Sequence, residues 1–251
     1  MTRDEALFQW LLRTGDSALI LGHRLSEWCG HAPALEEDIA IANVALDLIG
    51  QAQMWLALAG TVEGRGRDAD ALAYRRDAGG FRNIQMVERP NGDYAATLMR
   101  QFLFDAFHVA LLRGAAGSAD DRVAAIAAKA VKEAAYHVER SADLVVRLGD
   151  GSAESHARLA AALAEHWPYA GEMFDADAVD AALADGTAPP PDGLRAAWDD
   201  TVREVLETAT LGLPDAPFVH RGGKQGRHTE HLGFLLAEMQ FLQRAYPEAA
   251  W

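Results

Sequence analysis

The run Leu35-Glu36-Glu37-Asp38-Ile39-Ala40-Ile41-Ala42-Asn43-Val44-Ala45-Leu46-Asp47-Leu48-Ile49-Gly50-Gln51-Ala52-Gln53-Met54 decides the fold class. It has no proline, a single interior glycine at Gly50, and a high density of Ala, Leu and Ile, all of which favour helix. It is apolar on nearly every side, as a helix inside a bundle is. Its polar exceptions, Asn43, Asp47 and Gly50/Gln51, recur at helical spacing and share one face. That stripe is either the helix's wet edge or a face turned inward for chemistry.

The flanking sequence supplies further helices. Thr2-x-x-Glu5 reads as a capping box that opens a short helix to about Arg13. Gly15-Asp16 is expected to break it, with Asp16 or Ser17 capping a second helix over 18–29 that stops at Gly30. Residues 61–92 form a long irregular crossover with one helical patch near 70–76, pinned by Phe81, Ile84 and Met86. Asp93 then caps a helix over 94–113, which carries Thr97, Gln101, Asp105 and His108 on one stripe. Ser118-x-x-Asp121 resembles a capping box for a helix reaching Leu148, with Lys129, Glu133, Tyr136/His137 and Arg140 as its polar stripe. Shorter helices are predicted over 152–165, 177–184 and 194–210, then a glycine-rich basic loop within 212–227, then a final helix over 229–246. Alternating β-type patterns are absent, so the expected class is all-α. The expected organisation is one ferritin-like helical domain over 1–251, with a core bundle about 16–149 and a C-terminal extension about 152–251.

Composition narrows the function. Lys plus Arg number 23 against 37 Asp plus Glu, a formal net charge of −14. That argues against nucleic acid or an anionic membrane as the main partner. Cys29 is the single cysteine, so no intrachain disulfide is available, which fits a reducing cytoplasm. The opening residues Met1-Thr2-Arg3-Asp4-Glu5 do not follow an export-signal pattern. No apolar run is read as reaching the ~20 residues of a membrane span. Cys29 is read as a small buried group, and the tryptophans as core or interface anchors.

Four long helices, two pairs split by a long crossover, are the layout of a ferritin-like bundle. In that class inward carboxylates and two Glu-x-x-His pairs hold two metals, because iron and manganese accept hard oxygen with some imidazole. Here Asp47-x-x-Gly50 has glycine where a histidine would stand, and Glu133-x-x-Tyr136 has tyrosine. His137 falls one place late, about 100° round the helix. Asp105 with His108 one turn on, and Glu27 or His23, complete the set. The vestigial positions are thus Glu27, Asp47, Gly50, Asp105, His108, Glu133 and Tyr136. The favoured reading is a degenerate site, with no catalytic, cofactor-binding or metal-ligating residue in this chain. Its crowded acids are expected to be protonated or paired with Lys129, Lys132, Arg140 or Arg100. The alternatives are an autonomous di-metal oxidase using these acids, and stripes that simply face solvent.

Several segments carry a resemblance. They are Leu21-Gly22-His23-Arg24-Leu25-Ser26-Glu27-Trp28-Cys29-Gly30-His31-Ala32-Pro33, Asn43 to Ala52, Arg100 to His108, Lys132-Glu133-Ala134-Ala135-Tyr136-His137, and Gly222-Gly223-Lys224 through His228-Thr229-Glu230-His231 to Gln240. Together they resemble the C-subunit family of bacterial phenylacetyl-CoA epoxidases, along the whole chain. The resemblance implies a ferritin-like scaffold subunit of a multicomponent monooxygenase in aerobic phenylacetate degradation. In such complexes the di-iron centre lies in the A subunit, and a reductase subunit supplies electrons from NADPH. The expected partner is therefore the catalytic di-iron A subunit, with a homodimer left open and neither nucleic acid nor membrane expected. The loop Arg221–Arg227 lacks the Walker pattern for phosphate, so contact with CoA has weak support there and a partner-contact loop fits better.

Overall fold

The computed structural model describes residues 1–215 and 218–249. In chain order its α-helices are α1 (Arg3–Ser26), α2 (Leu35–Glu63), α3 (Ala69–Tyr74), α4 (Tyr94–Ala115), α5 (Asp121–Gly149), α6 (Ala153–Ala170), α7 (Ala178–Ala182), α8 (Pro191–Thr208), α9 (Glu230–Met239) and α10 (Phe241–Ala245). No strand occurs among the described residues, so the class is all-α as expected. The loop read over 212–227 includes Ala216 and Pro217, which lie outside the described residues.

The chain divides into two compact units. One holds Met1–Pro90 with the described part of 221–251, the other Asn91–His220. The C-terminal extension is therefore not one body: the part up to His220 belongs with α4 and α5, the rest with α1 and α2.

In the first unit α1 and α2 pack along their length. The expected break at Gly15-Asp16 is absent, and α1 runs unbroken from Arg3 to Ser26. Tertiary contact explains this. A Cβ on Gly15 would lie 3.0 Å from the Leu56 side chain, and one on Gly22 would lie 3.0 Å from Ile49. The two glycines, two turns apart on one face, are notches that bring α2 close, and Trp10 meets Trp55 edge-on at 5.8 Å. Asp16 does not cap a helix. It is fully buried and takes a bidentate ion pair from Arg76, which sits over the Phe81 ring, and the backbone N–H of Arg82 at 2.8 Å. Phe81, Ile84 and Met86 are buried and pin the crossover as expected. The final helix is broken at Gln240, whose side-chain amide donates instead to the carbonyls of Ala73 and Arg76, at 2.9 and 3.0 Å.

α2 departs from expectation in its faces. Ile41, Val44, Ala45, Leu48, Ala52, Trp55 and Leu56 are buried, while Asn43, Leu46, Gly50, Gln53 and Ala57 are exposed. By length and hydropathy this helix could cross a membrane, contrary to the reading of the sequence, although 44% of its apolar window is buried within the protein.

In the second unit α4 is the axis: α5, α6 and α8 all pack on it, and 18 of its 22 residues are buried. Trp198 of α8 donates its indole N–H to the Leu103 carbonyl at 2.9 Å. α5 is strongly amphipathic, burying Val123, Ala127, Ala130, Ala134, His137, Ser141 and Val145 at three- and four-residue steps. Its N-cap is Asp120 rather than Ser118. The Asp120 carboxylate accepts from the Arg122 N–H, and the Ser118 hydroxyl is committed to the Thr187 carbonyl at 2.7 Å.

Candidate functional site

The seven vestigial positions fall into two sets, one in each unit. In the first unit Glu27 is exposed at the end of α1 and pairs with Arg24 at 2.8 Å. Asp47 is half-buried, and Gly50 is exposed with open space where a Cβ would stand. His23 is half-buried, and burial holds its imidazole below the usual range.

The second unit brings the chemistry together. Asp105 and His108, one turn apart on α4, are both 1% exposed. The Gln101 amide donates to Asp105 Oδ1 at 2.7 Å, and the Ser141 hydroxyl of α5 donates to Oδ2 at 2.9 Å. Burial pushes the Asp105 carboxyl up to about 6, against the opposing pull of the His137 charge and of those two hydrogen bonds. His108 stacks on Phe104 at 5.1 Å. Burial drives its imidazole down to about 3, and the like charge of His137 adds to the effect. Around neutral pH the cluster therefore holds an ionised carboxylate beside a neutral His108.

His137 is the residue that sequence spacing misplaced. It is buried, and its charge acts on both Asp105 and His108, whereas Tyr136 is 54% exposed and Glu133 is half-buried. The signal was present in the run of small residues Ala127, Ala130 and Ala134, which marks the inner face and leads directly to His137 and Ser141. Of the expected counter-cations only Arg140 acts on Asp105. Lys129 and Lys132 are exposed, and Arg140 is the weakest of the influences on Asp105. Arg100 is fully buried and donates to the Asn91 side chain at 2.7 Å.

This donor set does not match the ferritin-like metal template. Each metal there needs a carboxylate and an imidazole on one helix face. Asp105 and His108 make one such pair here, but Gly50 brings no ligand, Tyr136 is exposed, and both oxygens of Asp105 already accept from N–H and O–H donors. Among the described residues no group of three or more His, Cys, Asp or Glu is placed to hold a metal ion. Cys29, expected to be buried, is exposed.

The architecture is that of the ferritin-like class. The chain superposes on a solved structure from Synechococcus, protein 19 with aldehyde deformylating oxidase activity, with a TM-score of 0.57 over 84% of this chain and 95% of that one. Identity there is 17%, so the likeness speaks for the fold alone. The chain itself belongs to the phenylacetic acid catabolic protein family, whose model matches residues 1–251. It is 48% identical over 246 residues to the C subunit of the 1,2-phenylacetyl-CoA epoxidase from Escherichia coli K12, covering 98% of this chain and 99% of the relative.

Proposed function

We propose that this chain is the non-catalytic scaffold subunit of a cytoplasmic phenylacetyl-CoA epoxidase. In this reading it pairs with the catalytic di-iron A subunit, and it holds no metal or cofactor itself. The full-length relative is itself a subunit of such an enzyme. The observation that carries the reading is the outer face of α2. Leu35, Ile39 and Leu46 stand 72%, 54% and 66% exposed, and Asn43, Gly50, Gln53 and Ala57 continue the same uncharged stripe, which exposed Glu36 borders in the first turn. In a chain of net charge −14 an uncharged, partly apolar helix face is one that a protein partner covers. The engaged donors around Asp105 support the absence of a metal from the same chain. Of the seven vestigial positions, the buried Asp105 and His108 then serve packing and charge balance in the core.

The test measures iron content per chain and co-purification with the catalytic subunit. A stable complex and well under one iron per chain after ferrous loading and desalting agree with the scaffold reading. Leu46→Lys leaves the free chain's melting temperature unchanged and abolishes the complex. About two irons bound to the isolated chain, lost on Asp105→Ala, would overturn the reading in favour of an autonomous di-metal oxidase.

A further inference from the structure

Outside the Asp105 cluster, the molecule commits a second fully buried carboxylate. Glu88, in the crossover before α4, is 0% exposed and receives four donors. The Asn83 amide reaches Oε1 at 2.9 Å, and His228 Nδ1 reaches the same oxygen at 2.6 Å. The Thr229 N–H and hydroxyl reach Oε2 at 2.7 and 2.6 Å. Glu88 thereby caps α9 from another segment: Thr229 is the N-cap, yet its side chain makes no capping bond of its own. A carboxylate at a helix N-terminus also meets the favourable end of the helix dipole.

The geometry around His228 counts protons. Its other nitrogen, Nε2, lies 3.0 Å from the Phe81 carbonyl oxygen, which can only accept. Both ring nitrogens therefore face acceptors. A neutral imidazole has one N–H, so in either tautomer it would turn a nitrogen lone pair onto an oxygen lone pair. The arrangement closes only when the Glu88–His228 pair carries one proton more than a free carboxylate and a neutral ring. The Asn83 amide and the Thr229 N–H and hydroxyl already place three donors on the carboxylate, which favours its ionised form, so that proton belongs on the ring.

We propose that Glu88 and His228 form a proton-operated clasp that fastens the C-terminal strap, α9 and α10, to the crossover. Loss of the extra proton turns one of the two ring contacts from attraction to repulsion and loosens the strap at its N-terminal end. Other charged groups border the clasp. On α1, Arg24 donates to the Glu88 backbone carbonyl at 3.2 and 2.8 Å and pairs with Glu27. On the crossover, Arg89 faces His231 of the strap at 3.4 Å, and Arg82 binds Gln9 at 2.9 Å. On the strap, the Arg227 carbonyl takes the Gln85 amide at 2.7 Å, and Lys224 is buried. None of these supplies a hydrogen bond to the His228 ring. The far end of the strap is tied separately, by Gln240 and by Arg244 to Asp77, so the opening is local, and its apolar underside, Leu232, Leu235 and Leu236, is what it uncovers.

Two measurements on the full chain test the clasp. Nitrogen-15 NMR of the unmodified protein reads the His228 ring: both nitrogens protonated near neutral pH is the expected result, and a neutral ring overturns the proposal. Hydrogen exchange, corrected for intrinsic rates, is then followed from about pH 6 to about pH 9, with α2 as internal reference. Protection over α9 is expected to fall as pH rises, by up to about tenfold per unit while the closed clasp holds a proton that the opened strap has released, and to level off once the closed ring has lost it; α2 is expected to hold. His228→Gln removes that dependence while leaving the chain folded. An identical pH profile in native and His228→Gln proteins overturns the clasp.

Discussion

Ser141 of α5 gives its hydroxyl proton to Oδ2 of Asp105 on α4 at 2.9 Å, so the carboxylate at the centre of the second unit is held by hydrogen bonds between two helices. The partner at Oδ1, Gln101, is one turn back on the same helix as Asp105. A charge buried this deeply makes stability depend on pH.

Asp105 releases its proton at about 6 when folded and near pH 4 when unfolded. Between those values the folded chain binds more protons, so stability falls as pH rises through the window. Two pH units correspond to about 3 kcal/mol. Asp105→Asn removes that loss and keeps an acceptor for Gln101 and a donor for the Ser141 oxygen. The variant is expected to be about 1–3 kcal/mol more stable than the native chain at about pH 8, and level with it near pH 4. Urea unfolding at the two pH values checks this. A variant less stable at about pH 8 would mean that the ionised carboxylate, not its hydrogen bonds alone, holds α4 to α5.

His108 acts with the opposite sign. Its ring protonates at about 3 when folded and near pH 6.5 when unfolded, so stability is lost as pH falls through that range, by up to about 5 kcal/mol. Where the two windows overlap, from about pH 4 to 6, the contributions oppose each other and the native chain is expected to show a shallow slope. His108→Phe, stacking on Phe104 in place of the imidazole, removes the opposing contribution, so that stability there falls with rising pH under the Asp105 contribution. The measurement is the denaturation midpoint at three pH values. The slope is what decides, because the substitution also changes packing.

What the sequence made legible was periodicity. α2, α4 and α5 followed from the spacing of Ala, Leu, Val and Phe, and Asp93 from its place before such a run. What it concealed was set by tertiary contact. Gly15 reads as a breaker in isolation, but beside Leu56 it is the notch that admits α2. Asp16 reads as a cap because nothing nearby in sequence announces Arg76, 60 residues on. The metal template's three-residue step points to Tyr136 and past His137; the face that α5 buries is marked by its alanines instead. Glu88 and His228 meet across 140 residues and carry no local signal at all.

Two glycines of α2 give predictions of opposite sign. At Gly50 a Cβ meets nothing within 4 Å and the backbone is helical, so Gly50→Ala is expected to stabilise the isolated chain by about 0.5–1 kcal/mol. At Gly60 a Cβ would sit 2.0 Å from the Arg67 carbonyl oxygen, where the chain turns back on itself. Backbone has to move, and Gly60→Ala is expected to destabilise by about 1–3 kcal/mol despite the same gain in helix propensity. Thermal unfolding of both variants under one condition suffices. A similar shift in both would show that the return of residues 64–68 onto α2 is not a fixed part of the fold.

The Asp16–Arg76 pair ties α1 to the end of α3, and its partners decide how a deletion behaves. Removing Arg76 leaves a fully buried carboxylate that keeps the Arg82 N–H, at 2.8 Å, but loses its counter-charge, so Arg76→Met is expected to cost about 3–5 kcal/mol. Replacing both residues, Asp16→Leu with Arg76→Met, removes the unpaired charge along with its partner and is expected to recover much of that loss. Recovery stays incomplete for a specific reason. Arg82 then keeps a backbone N–H with its acceptor gone, at about 1–3 kcal/mol, and the Gly80 carbonyl loses the Arg76 donor at 2.9 Å. A double-mutant cycle in urea measures the difference. A double variant as unstable as Arg76→Met alone would mean that the backbone bonds to this pair, rather than the charges, are what hold the crossover against α1.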